Sequence, residues 1–114
     1  MDFWCYKAEI VRWIDADTVS IRLDLGFRMY TVQRLRVARI DAWEIRGVEK
    51  VKGKAAKARV EELCPVGTHI AVRTGKETGK YGRWIAEVYV EVDGEEKNLS
   101  DLLVEEGHAE YVTY

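Results

Sequence analysis

The chain has little proline, asparagine, glutamine, cysteine and histidine: one, one, one, two and two residues respectively among 114. Each shortage excludes something. A lone Pro65 leaves no proline-rich or low-complexity segment. Two cysteines, Cys5 and Cys64, make no disulfide framework, and their spacing fits no zinc pattern, so they read as reduced thiols in or near the core. Scarce amides beside abundant Lys, Arg and Glu point to a thermophilic source, where ion pairs are common. Such organisms tolerate internal disulfides, which keeps a Cys5–Cys64 bridge open. No apolar run approaches the roughly 18 residues of a membrane span. The N-terminus shows no signal-peptide pattern, so the chain reads as cytoplasmic or as exported after processing.

What is present describes a globular protein, with 47% apolar and 33% charged residues, expected to form a single domain over 1–114. The net charge of −2 argues against a non-specific nucleic-acid coat, but it is unevenly spread. Residues 1–27 sum to −2, residues 28–59 to +7 and residues 60–114 to −7. A basic middle within an acidic protein suits a local phosphate-facing site.

Periodicity predicts the elements. Residues 3–14 are aromatic and β-branched and read as a strand. In "DTVSIRLDL", Val19, Ile21, Leu23 and Leu25 take one face. A third strand follows over 29–40, then a loop at 41–50. "KGKAAKARVEEL" (52–63) reads as a helix with Ala56, Val60 and Leu63 on its apolar stripe, ended by Pro65 and Gly67. Strands at 68–74 and 84–92 flank a Gly- and Lys-rich turn. Asp93-Gly94 turns the chain, and Asn98 caps a short helix ending at Gly107. Strands and helices in this order imply a mainly β fold with some α: a five-stranded Greek-key barrel with two flanking helices, because closure removes most strand edges.

Both signs of charge crowd the end of the third strand, "RLRVARIDAWE". Asp17 opens strand two and Asp41 closes strand three, and antiparallel pairing brings those ends together. Converging carboxylates repel unless a cation or proton separates them. Oxygen ligands without His or Cys favour Ca²⁺ or Mg²⁺. Arginines beside such a cation suit an anion that bridges both, and a phosphate does so. Arg36 and Arg83 are expected to face a wet cleft.

The segments "WIDADTVSI", "RLRVARIDAWE", "GVEK" and "TGKYGRWIAEVYV" resemble the staphylococcal nuclease (thermonuclease) family over nearly the whole length. The resemblance implies the oligonucleotide/oligosaccharide-binding (OB) barrel and Ca²⁺-dependent hydrolysis of DNA and RNA to 3′-phosphate products. By position it implies Asp17, Asp41 and the Ala42 carbonyl as metal ligands, with Asp15 around them. It makes Arg36 and Arg83 catalytic and Glu44 the general base. Lys80, Tyr81, Tyr111 and Tyr114 would touch substrate, with single strands or breathing duplexes preferred. A monomer without membrane contact is expected.

The chain departs from the family in three places. Ala42-Trp43 replaces Thr-Pro, Ala16 replaces Gly, and the chain stops near Tyr114, short of a third helix. The competing reading is a catalytically inactive nucleic-acid-binding OB-fold module. Such a binder has no use for Asp17, Asp41 and Glu44 beside phosphate, where they would repel it.

Overall fold

The computed structural model describes residues 4–42, 50–78 and 83–112. Strand β1 (Trp4–Asp15) carries bulges between Ile10 and Arg12 and between Trp13 and Asp15. Extra residues sharpen twist, and this strand pairs with β2 (Thr18–Asp24) on one edge and β5 (His69–Thr78) on the other. The expected alternation in β2 holds. Val19, Ile21 and Leu23 are buried, while Leu25, one residue beyond the strand, is exposed. Strand β3 (Tyr30–Val37) pairs with β2 in unbroken register from Asp24↔Tyr30 to Thr18↔Arg36.

Closure comes from the parallel pairing of β3 with β6 (Trp84–Val92), through Leu35↔Trp84, Arg36↔Ile85 and Val37↔Ala86. With β5 pairing β6, strands β1, β2, β3, β5 and β6 form the closed five-stranded barrel. Its interior is filled by Ile10, Ile21, Leu35, Val72, Val88 and Val90.

Helix α1 (Lys50–Leu63) presents Ala56 and Val60 to this core, with Cys64 buried just beyond its end. Trp13 in β1 donates its indole N–H to the Cys64 carbonyl at 2.9 Å, satisfying two groups that burial would otherwise leave unpaired. The two thiols are free, Cys5 exposed and Cys64 buried. Helix α2 (Leu99–Glu105) buries Leu99 and Leu103, and the Asn98 side chain accepts the Asp101 N–H as its N-cap.

Five strands differ from expectation, β5 because it runs on to Thr78 where a turn was expected from Gly75. The third strand ends at Val37, not at 40, because Arg39 takes a left-handed backbone (φ 68°). Few side chains adopt that conformation, and it breaks the ladder. The chain then forms β4 (Ile40–Ala42), which leaves the barrel and pairs with β8 (Ala109–Tyr111). Strand β7 (Glu95–Asn98) pairs with β6 across the two-residue turn Asp93-Gly94, both at positive φ. Neither β7 (EEKN) nor β8 (AEY) carries an alternating apolar pattern, so periodicity cannot announce them. No helix among the described residues is long and apolar enough to cross a membrane.

Candidate active site

Four elements meet at one end of β2. Asp17 sits in the tight turn between β1 and β2, Arg36 near the end of β3, Asp41 and Ala42 on β4, and Arg83 just before β6. The register Thr18↔Arg36 puts the first two side by side. The turn after β3 carries β4 across them, and Ser100 of α2 fixes that turn by donating its hydroxyl to the Ala38 carbonyl at 2.6 Å.

Asp17 is buried at 6% exposure, so its carboxylate needs partners. It has three. The Ala42 N–H donates to Oδ2 at 2.9 Å, the Thr18 hydroxyl to Oδ1 at 3.1 Å, and the Arg36 guanidinium forms an ion pair with Oδ2. Arg36 also donates to the Ile40 carbonyl at 3.1 Å and to Asp41 Oδ1. One guanidinium thus holds both acids, as paired carboxylates require. Arg83 donates to the Thr18 hydroxyl at 3.2 Å, linking the second arginine to the same point. Asp15 closes the β1–β2 turn opposite Thr18.

Arg36 does not face an open cleft, contrary to expectation. Its side chain is 13% exposed, because β4 folds over it. Asp41, by contrast, is 61% exposed and opens the cluster to solvent. The donors fit a hard cation. Two carboxylates already converge on a single positive group, and every side-chain donor at the point is oxygen. Among the described residues no three His, Cys, Asp or Glu side chains gather as a metal cluster. The expected residues Glu44, Lys80, Tyr81 and Tyr114 lie outside the described residues.

Tyr111 pairs with Ile40 on β8, whereas Asp41 pairs with Glu110, so Tyr111 lies on the other face of this small sheet from Asp41. Its hydroxyl donates to Asp101 at 2.7 Å, and Arg39 lies over its ring. That hydrogen bond holds the Asp101 carboxyl below its ordinary range, helped by Arg39, and raises the Tyr111 hydroxyl. Arg39 also grips Glu87 with two nitrogens, at 2.6 and 3.1 Å, which raises its own pKa.

Two contributors escaped the sequence reading as site residues. Thr18, on the face of β2 opposite Val19, joins Asp17 to Arg83. Its only signal is the position directly after Asp17 in "DADT". The Ile40 carbonyl, being backbone, has no signal. A cavity of about 180 Å³ is lined by Tyr6, Leu23, Leu25, Leu35, Val72 and Trp84 among others. Its polar tips are spent on each other. Trp84 donates to Gln33, and Gln33 to Thr31.

No curated protein sequence matches the chain significantly. The family model of staphylococcal nuclease homologues matches residues 34–114, more than two-thirds of the chain. Arg36, Asp41, Ala42 and Arg83 fall inside that span, and the β2–β3 register brings Asp17 to it from outside. The chain belongs to the staphylococcal nuclease homologue family.

Proposed function

We propose that this protein is a Ca²⁺-dependent phosphodiesterase that cleaves DNA and RNA. The family's members are generally nucleases of this hydrolase class and generally calcium-dependent. The observation that carries the reading for this chain is the meeting of Asp17, Asp41, Arg36 and Arg83 around one buried carboxylate. Carboxylates alone would repel a phosphate, and arginines alone would only bind it. Hydrolysis needs both.

Asp17, Asp41 and the Ala42 carbonyl would hold Ca²⁺, with Asp15 beside them. When bound, the ion would supply Lewis-acid charge at the phosphate and would make a nearby water easier to deprotonate. Asp17 is oriented for its part by the Ala42 N–H and the Thr18 hydroxyl, beside its ion pair with Arg36. Arg36 keeps its hold on Asp17 and turns from exposed Asp41 toward the phosphate. Arg83, steadied by Thr18, approaches from β6. Negative charge grows on the non-bridging oxygens as water attacks, and two preplaced guanidinium groups stabilise that state more than the ground state. Glu44 takes the proton of the attacking water. Lys80 and Tyr81 contact the substrate phosphate, and Tyr81 and Tyr114 stack an unpaired base, which favours single strands and breathing duplexes. Products carry a 3′-phosphate, and the enzyme acts as a single-domain monomer.

The test is incubation with single-stranded DNA and Ca²⁺, with and without chelator. Cleavage that stops with chelator and returns with Ca²⁺ is expected. Full cleavage in excess chelator would overturn the metal assignment. Binding without cleavage would overturn the enzyme.

A further inference from the structure

The site lies at one end of the outer face of β2 and β3, and that face continues beyond it. Side chains alternate along strands, so Thr18 and Arg36 are followed on the same surface by Ser20 and Arg34, then Arg22 and Val32, then Asp24 and Tyr30. Ser20 is also paired with Arg12 of β1, so one hydroxyl is flanked by two exposed arginines. Strand geometry sets Arg12 and Arg34 roughly 10 Å apart and Arg34 roughly 7 Å from Arg36, measured between Cα atoms. The second spacing is close to the phosphate repeat of a stretched single strand.

Neither Arg12 nor Arg34 makes an ion pair among the described residues, unlike Arg22, Arg36, Arg39 and Arg59. In a protein with net charge −2, carboxylates abound. Two exposed arginines side by side without one leave a local site for an anion. One row further, Arg22 lies 4.5 Å over the Tyr30 ring. Tyr30 is 51% and Val32 58% exposed, so an aromatic and an aliphatic side chain stand in water next to arginine. The acids on this surface are already engaged. Glu9 pairs with Arg22 at 3.1 Å, and Asp24 accepts the Gly26 N–H at 2.8 Å.

We propose that this face is a track for a single nucleic-acid strand leaving the active site. Arg12 and Arg34 hold the phosphate next to the scissile one, and Tyr30, fixed beneath Arg22, stacks a base beyond it. This assignment rests on the nuclease reading above and names where its substrate continues. Stacking on an exposed aromatic is indifferent to base identity, and guanidinium–phosphate contacts are equally so. The track therefore confers length dependence, not sequence preference.

The experiment measures binding of labelled oligothymidylates of about three and about twelve nucleotides in chelator, by fluorescence anisotropy across a salt series, beside cleavage in Ca²⁺. The wild type binds the longer strand more tightly. Arg12→Ala/Arg34→Ala should lose most of that gain, and its salt slope should fall by about 0.7, the share of one single-strand phosphate. Tyr30→Ala should weaken the longer strand roughly tenfold. Arg12→Lys/Arg34→Lys should restore the slope, which damage to the fold would not allow. A length gain and slope untouched by these variants overturns the track, and so does a wild type with no length gain. If long strands bind through Arg12 and Arg34 but are not cut in Ca²⁺, the track stands and the nuclease reading falls. If they are cut while the variants bind like wild type, the track alone falls.

Discussion

Arg36 and Arg39 are three residues apart, and each gathers two carboxylates, yet the two clusters are built differently. Arg39 grips Glu87, Asp101 and the Asn98 side chain, while Asp101 also accepts from Tyr111. Every partner is bound to another partner, so the circuit is closed, although the Arg39 side chain itself is 46% exposed. It staples the β3–β4 turn to β6, α2 and β8. Arg36 is largely covered by β4, with one partner buried and the other open to solvent. The lesson is that exposure of the arginine does not mark the functional cluster. Exposure of the acid does not mark it either, since Asp101 is 53% exposed beside 61% for Asp41; what differs is that Asp101 is held by the Tyr111 hydroxyl as well as by Arg39.

The largest expected effect separates the two arginines. Arg36→Ala should lower kcat by on the order of 10²–10³, the usual loss of one preorganised donor. It should also cost stability, about 3–5 kcal/mol, by leaving Asp17 buried without its counter-charge. Arg83→Ala should show the same kcat loss, and Glu44→Gln roughly 10²–10⁴. Arg39→Ala should instead cost on the order of 1 kcal/mol and leave kcat close to wild type. Steady-state kinetics and urea unfolding read both quantities. An Arg39→Ala variant as inactive as Arg36→Ala would erase the distinction.

Calcium sharpens the same contrast without an activity assay. At a hundred times its Kd, Ca²⁺ should stabilise the wild type by about 2.7 kcal/mol, raising Tm by several degrees. Asp41→Ala should lose this shift, whereas Asp101→Ala should keep it. An equal shift in both variants would mean that the ion binds elsewhere. A smaller effect, about 1 kcal/mol, is expected from Asn98→Ala, which removes the α2 cap and one ligand of Arg39.

Titration gives the smallest effects. Tyr111 and Arg39 depress Asp101, and Arg59 depresses Glu106, so both contribute stability that is present above the ordinary carboxylate range. That contribution should disappear as pH falls through their lowered values. At the other end, burial pushes the Cys64 thiol from 9.0 up to about 11. The folded state then holds a proton that the unfolded state releases, so stability should fall as pH rises from about 9 to about 11. Exposed Cys5 should react with iodoacetamide in the native protein, and Cys64 only on unfolding. Equal labelling of both in the native state would contradict the packing of α1 against Trp13.

Much of this was legible before the structure. Alternation in β2 and β6 is a property of the sequence because one face of each strand must enter the core. The same holds for Ala56 and Val60 on α1. Asp17 and Asp41 could be listed because antiparallel strand ends bring them together, and Arg36 and Arg83 because the resemblance implies them. The end of β3 could not be read, since nothing in "VARIDA" marks Arg39 for a left-handed backbone. That conformation is held by contacts to Glu87, Asp101 and Val112, all far along the chain. The resemblance implies a substrate contact for Tyr111, and nothing local announces that its hydroxyl bonds Asp101, ten residues away in α2.

From the sequence alone come the barrel, its two helices and the identities of the charged residues brought together. Each follows from short-range pattern: side chains two apart share a strand face, and those three or four apart share a helix face. The tertiary structure decided which charges are open and which are closed. β4 leaves the barrel to pair with β8, so it lays Asp41 over Arg36 and covers most of the arginine while exposing the acid. Burial and ion pairing depend on the elements that converge from distant parts of the chain, and no local pattern encodes which face a neighbouring strand will cover.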